Sequence, residues 1–239
     1  PNPFGGQDQV VMNPGVGNPN LLEPAGVPDP EVSFISVKSY DGRPVALLGN
    51  YSLHYVGGVP AGHVSADYFA LFADRIQELL NADRQDPPFV GIMSNGTSAD
   101  VSNTNYGGQP QNNPPYSKMH VVAEDVAREV FREHNRIKFH KWVPLGVAHT
   151  ELTLEIRKPT KEMIERAHNV MNGPDKKIGP HGSEKFYNER IIKMTEWPDN
   201  VNIILQTFRI GDLGIAAIPF EIFSETGKEI KKKSPFNHS

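Results

Sequence analysis

Pro87-Pro88-Phe89-Val90-Gly91-Ile92-Met93-Ser94-Asn95-Gly96-Thr97-Ser98-Ala99-Asp100-Val101-Ser102-Asn103-Thr104-Asn105 is the stretch on which the fold turns. Its first part is a short apolar run behind two prolines, the pattern of a buried strand. After Met93 the residues are almost all small and polar. A strand that delivers hydroxyls and a carboxylate into a loop builds a catalytic edge in many α/β folds. The same composition also serves an Asx-rich turn that satisfies its own backbone.

The segments on either side read as strands and helices in loose alternation. Before the stretch, Glu31–Lys38 alternates apolar and polar residues, Asp41-Gly42 marks a tight turn, and Val45–Leu48 is a second strand, so a hairpin is expected. Asn50–Asp67 empties a strand into a loop with glycines, a proline, His54 and His63. Tyr68, Phe69, Leu71, Phe72, Ile76, Leu79 and Leu80 then recur at helical spacing, which predicts a helix over 66–81 with Ser65 or Asp67 as its cap.

Beyond the stretch, Gly107–Pro115 is a linker and Tyr116–His134 a long amphipathic helix with a four-apart Glu124–Arg128 pair. Val143–Arg157 alternates as a long strand or a bent pair. Helices follow over 160–171, with Thr160 as its cap, and over 184–196, separated by a Gly/Pro/Lys loop over 172–182. Val201–Ile210 and Leu213–Ile218 flank Gly211-Asp212 as a second hairpin, and a helix spans 222–232. Lys231-Lys232-Lys233 complements the dipole of that last helix. The fold class is therefore α/β, a mixed sheet with antiparallel hairpins and helices packed on it.

Residues 1–30 are rich in Pro, Gly and Asn and read as an extended arm, with Val10, Val11, Met12, Leu21 and Leu22 as possible anchors; 31–239 forms the α/β domain. The chain of 239 residues can bury a sizeable core. A net charge of −4 gives no basic field for nucleic acid. The absence of cysteine excludes a disulfide framework and thiolate chemistry. No apolar run is long enough to span a bilayer. The chain opens on Pro1-Asn2-Pro3-Phe4 without an initiator methionine, which points to processing or to flanking sequence.

Three strand-to-loop junctions carry the groups that could do chemistry: His54 and His63, Asp100 and Ser102, and Glu221. If their strands share one edge of a sheet, these groups converge there. Each residue also has an ordinary structural role. His54 and His63 would be hydrogen-bonded histidines, Glu221 a first-turn carboxylate, Ser102 a loop hydroxyl and Asp100 an Asx-turn residue. The His54-to-His63 spacing fits no helical zinc motif, and no G-x-S-x-G elbow is present.

Three blocks, in matching order, resemble the neutral/alkaline (non-lysosomal) ceramidase family. Asn50-Tyr51-Ser52-Leu53-His54, followed by His63-Val64-Ser65-Ala66-Asp67, resembles the segment where a zinc histidine precedes an isoleucine-serine-x-aspartate helix start. Ala99-Asp100-Val101-Ser102-Asn103 resembles the family's glycine-aspartate-valine-serine-proline-asparagine nucleophile loop, with Ala99 in place of glycine and Asn103 in place of proline. Gly211–Glu221 resembles the strand that ends in proline-glycine-glutamate.

The resemblance covers roughly residues 30–235 and implies a zinc-dependent amide hydrolase acting on an N-acyl amide or lipid. It implies His54 and Glu221 as zinc ligands, Ser102 as nucleophile, and Asp67 and Asp100 as groups that orient the loops, Asp100 being the second catalytic candidate. It further implies a secreted or periplasmic protein with possible membrane-surface contact. In the family a further zinc histidine and transition-state-stabilising groups come from an earlier segment, and a zinc tyrosine from a later one. Neither segment is in this chain, which therefore reads as a central piece of a larger enzyme, weak in zinc binding and inactive alone. The competing readings are a non-catalytic ligand-binding or scaffold domain, with carbohydrate or peptidoglycan-like partners, and a zinc-free hydrolase using Asp100 and a histidine.

Overall fold

The structure, a computed structural model, describes residues 10–172 and 184–238. From residue 173 onward, the loop expected over 172–182 lies outside them. The chain divides into two compact units. The larger comprises Pro14–Gly146, Phe208–Ile215 and Phe220–Ser239; the smaller comprises Pro1–Asn13, Val147–Thr207 and Ala216–Pro219.

In the larger unit, β1 (Val32–Lys38) and β2 (Pro44–Tyr51) form the expected hairpin, with Ser36 opposite Leu47 and Val32 opposite Tyr51. Gly42 at the turn has φ 91°, a conformation that costs glycine little. Helix α1 (Asp67–Leu79) crosses from β2 to β3 (Val90–Asn95), which pairs parallel to β2 and leaves β2 in the centre. Helix α2 (Ser117–His134) follows. β2 runs past the predicted Leu48 because Gly49 and Asn50, which end the apolar run, are held on both sides by β1 and β3.

The core lies between this sheet and the two helices. Leu47, Tyr68, Phe72, Ile76, Met93, Met119, Ala123, Ala127 and Val130 are buried there. The sheet and α1 approach closely. A Cβ on Gly91 would lie 2.8 Å from the Ala73 carbonyl oxygen, and one on Gly49 would lie 3.0 Å from Phe72 Cζ. Glycine is required at Gly91 because the obstacle is helix backbone. Arg75 ties α1 to α2 through its Nε, 2.6 Å from Glu124 Oε2, and the anticipated Glu124–Arg128 pair is formed.

Two expectations change in this unit. The apolar residues of the arm at 21–22 are exposed, so it is not anchored by apolar burial. The arm is held by polar contacts instead: Gly17 N–H donates to the Tyr106 carbonyl at 2.8 Å, and Lys231 pairs with the buried Asp29 at 2.7 Å. Lys231 therefore serves the arm rather than only the dipole of α5 (Ser224–Lys233), the last helix.

A second sheet has the order β4-β5-β6, from β4 (Leu145–Glu155), β5 (Asn200–Ile210) and β6 (Leu213–Ala217). Gly211, with φ 63°, makes the β5–β6 turn. Among the described residues the strands thus form two three-stranded sheets, an α/β architecture in which one sheet mixes parallel and antiparallel pairing. The smaller unit contributes α3 (Lys161–Asn172) and α4 (Glu184–Met194). The Thr160 hydroxyl caps α3 by accepting from Met163 N–H at 3.3 Å. Arg166 meets Glu184 at 3.2 Å, and Ala167 and Ile191 are buried.

Candidate functional site

β2 and β3 are parallel and end level, with Tyr51 opposite Asn95. The loops that carry His54 and Ser102 therefore leave one sheet edge side by side, as the carboxyl ends of adjacent parallel strands do. Ser52, buried just past β2, accepts the Thr97 amide at 3.1 Å. Gly96 N–H donates to the Tyr51 carbonyl at 3.0 Å, and a Cβ on Gly96 would strike Ser52 Oγ at 2.5 Å. Further out, His54 N–H donates to the Val101 carbonyl at 3.3 Å. The Asn103 side-chain amide donates to the carbonyls of Tyr55 and Val56 at 3.2 and 3.0 Å. These bonds run the two loops together from Ser52 to Val56.

The loop after His54 is closed at its far end by Asp67. This residue has φ 55°, and its carboxylate accepts the amides of Val56 (3.1 Å), Gly57 (2.8 Å) and Tyr68 (2.6 Å). Neither expected cap residue holds the N-cap position of α1, which Ala66 fills without a side-chain hydrogen bond; Ser65 Oγ instead accepts the Asp67 amide at 3.0 Å. The buried Tyr68 hydroxyl donates to the Leu53 carbonyl at 3.1 Å. Burial, with Tyr51 and Asp67 nearby, pushes its pKa well above the ordinary tyrosine value, so it stays a donor.

Glu221 arrives from the other sheet. It follows β6, and the condition of one common sheet is not met. Loops bring its segment in instead. Ala99 N–H donates to the Ile222 carbonyl at 3.1 Å, and the Asp100 carboxylate accepts both the Ser224 amide (2.8 Å) and the Ser224 hydroxyl (3.0 Å). The segments beside His54 and Glu221 therefore both bond to the loop 99–103.

Within that meeting, His54 is half-buried, its ring 5.3 Å from that of Tyr55, while Ser102 and Glu221 are exposed. Ser102 Oγ accepts the Thr104 amide at 3.1 Å and lies 3.4 Å from the Tyr106 hydroxyl, which donates to it. His63 stands apart, hydrogen-bonded through Nδ1 to the Tyr116 hydroxyl. Lys118, at the start of α2, donates to the carbonyl of Asn103, the residue after Ser102. Sequence reading assigned no role to Ser52 and Asn103, although both lie in the quoted blocks, nor to Lys118 and Ser224. Only Ser52 and Ser224 carried a signal, a small hydroxyl at the end of a strand and at the start of a helix.

A catalytic zinc takes three protein ligands and a water. Among the described residues no group of three His, Cys, Asp or Glu side chains could hold a metal ion. His54 and Glu221 alone do not constitute such a site.

No protein-family model matches the sequence, nor does any curated protein sequence. Among solved structures, the chain is similar to the neutral ceramidase from Pseudomonas aeruginosa, with a TM-score of 0.53 and 14% identity over 90% of this chain and 38% of that one. It is also similar to a ceramidase complexed with C2, with a TM-score of 0.52 and 14% identity over 90% of this chain and 40% of that one. The chain thus spans about two fifths of the solved chains that it matches, and it has a ceramidase-like fold.

Proposed function

We propose that this chain carries the nucleophile loop of a ceramidase-like amide hydrolase acting on an N-acyl amide or lipid. The observation that supports the reading most is the meeting of three distant segments at one loop, through the His54–Val101 and Ala99–Ile222 backbone bonds. Ser102 Oγ bonds to the amide carbonyl carbon, the amine leaves with a proton, and water then releases the acid and restores the hydroxyl. Asp67 and Asp100 hold the loops on either side. Zinc belongs to this proposal only with a ligand beyond His54 and Glu221, so the chain by itself is expected to hold zinc weakly and to turn over little substrate. The fold-level resemblance also underlies the expectation of a secreted or periplasmic protein working near a membrane surface.

The test is hydrolysis of fluorogenic N-acyl amines by the protein as the cell makes it, beside its Ser102→Ala variant. Loss of turnover by at least about 10³-fold is expected. Turnover that survives the substitution would sink the nucleophile assignment. Absence of turnover in both, with tight binding of a glycan, would favour the ligand-binding domain.

A further inference from the structure

We infer that Ser224 and Gly227 in the first turn of α5, together with Asp100, are positioning residues that set the spacing between Ser102 and Glu221. The inference rests on the reading of Ser102 as nucleophile and Glu221 as a carboxylate of the same site. Its physical content is a latch between two segments that lie far apart in sequence.

Helix α5 begins without a cap of its own. The residue in the N-cap position is Phe223, which offers no side-chain hydrogen bond. Polar residues normally fill that position because the first amides of a helix lack intrahelical partners. Here the cap comes from elsewhere. Asp100 spends one carboxylate oxygen on the Ser224 amide and the other on the Ser224 hydroxyl. Ser224 is buried, and a carboxylate at a helix N-terminus is favoured by the dipole. The bonds are charge-assisted and two-pronged, so they fix orientation as well as distance.

A second contact stiffens the first. Gly227 faces Thr97 so closely that an added Cβ would lie 2.1 Å from Thr97 Oγ1, 2.7 Å from Cγ2 and 2.9 Å from Cβ. Thr97 is itself fixed, since its amide donates to the buried Ser52. The far flank of α5 is strapped by the arm, Lys228 donating to the Val27 carbonyl and Lys231 meeting Asp29 and Glu31. Ser102 lies two residues after Asp100, and Glu221 three before Ser224. With so little chain between the latch and each side chain, freedom at the latch becomes freedom in their separation.

Because the chain has no cysteine, spin labels at Ser102→Cys and Glu221→Cys report that separation directly. Electron–electron dipolar spectroscopy on the full chain should give one narrow distance distribution. Ser224→Ala or Asp100→Ala should widen it roughly twofold. Asp100→Asn, which can still accept the amide and donate to the hydroxyl oxygen, should restore the parent width. Gly227→Ala should shift the mean by on the order of 1 Å, the gap between 2.1 Å and the start of ordinary contact at 3.4 Å, and adding Thr97→Gly should reverse the shift.

A broad distribution in the parent pair overturns the inference. So do unchanged widths in Ser224→Ala at a temperature where it is folded, a variant that removes a single hydroxyl and decides the matter if Asp100→Ala does not fold. The hydrolase reading is judged separately. In the active protein Ser224→Ala should lower kcat by roughly 100-fold with KM little changed, since a misplacement near 1 Å has that scale. Failure of Ser102→Ala to abolish turnover would remove the catalytic meaning while leaving the measured latch in place.

Discussion

β2 and β4 both read as strands from their apolar residues, β2 from the continuous run Val45–Leu48 and β4 from alternation, yet one is the centre of a core and the other lies open. β2 buries Leu47 completely and has β1, β3 and α1 around it. In β4 every residue except Leu154 is exposed, including Leu145, Val147 and Leu152. Either pattern reports only that a segment can be a strand. What lies against the apolar face is decided by the helices that follow it in the chain. After β2 comes α1, with Tyr68, Phe72 and Ile76 directed at the sheet. After β4 come α3 and α4, whose buried apolar residues are only Ala167 and Ile191.

The largest expected effect turns this contrast into a stability difference. Phe72→Ala removes a fully buried ring and should cost about 3–5 kcal/mol in denaturant unfolding. Leu152→Ala on β4 should stay within about 0.5 kcal/mol, since 43% of the leucine is already in solvent. Equal losses would break the comparison by showing that β4 is covered in solution.

Polar contacts should follow the same division. The Asp67 carboxylate is 8% exposed and holds three backbone amides. Asp67→Ala strands those donors and should cost on the order of 3 kcal/mol. The Thr153–Asn202 bond between β4 and β5 is as short, at 2.7 Å, but exposed. Thr153→Val should stay within about 0.5 kcal/mol, because water replaces the lost partner. Melting curves for the two variants compare the same kind of bond inside and outside the core.

How far the sequence carries the argument also depends on locality. The β1–β2 and β5–β6 hairpins, α1, α2 and the Thr160 cap were legible because Asp41-Gly42, Gly211-Asp212 and the 3.6-residue period act within a few residues. The parallel pairing of β2 with β3 was not, since nothing in either strand names its neighbour. Nor was the split into two sheets, and so the segment after Glu221 reaches the loop at 99–103 by a route that strand order did not suggest. The Asp100–Ser224 contact joins residues 124 apart. An aspartate in an Asn/Ser/Gly loop reads locally as a turn residue, and only the fold reveals that its acceptors serve a distant helix. The arm failed for a related reason. Leu21 and Leu22 are apolar but face solvent, while the arm is secured by Asp29 and by backbone carbonyls that have no signature in sequence.

The well-covered region should also have the sharper response to acid. His134, at the end of α2, is 4% exposed, its Nε2 lies 3.1 Å from Ser36 Oγ, and its buried Nδ1 has no hydrogen-bond partner among the described residues. Burial, and then the charge of Lys38, hold its pKa below the ordinary 6.5. The unfolded chain therefore takes up a proton that the folded chain resists. The neutral histidine's contribution is complete above about 6.5 and is lost as pH falls through the lower folded value. The helix C-terminus favours a cation there, which moderates the effect without reversing it. His134→Phe should flatten the decline of the unfolding midpoint on acidification. A decline as steep as in the parent would place the acid sensitivity elsewhere.

The smallest difference concerns two lysine–aspartate pairs. Lys231 meets an Asp29 side chain that is 8% exposed, at 2.7 Å, whereas Lys158 meets an Asp199 that is 89% exposed, at 3.4 Å. Burial alone would lower the Lys231 pKa, but its bonds to Asp29 and Glu31 outweigh that and raise it above the ordinary 10.5. A raised lysine stabilises fully below its unfolded value and loses that contribution as pH climbs through the folded one, so the loss appears only in alkali. At neutral pH Lys231→Met should cost about 1 kcal/mol, while Lys158→Met should cost nothing measurable. The alkaline decline should also be shallower in Lys231→Met than in Lys158→Met, because only the latter still has the Lys231 contribution to lose. If the two variants behave alike, the arm contributes no more than an ordinary surface contact, and α5 depends on the Asp100 latch alone.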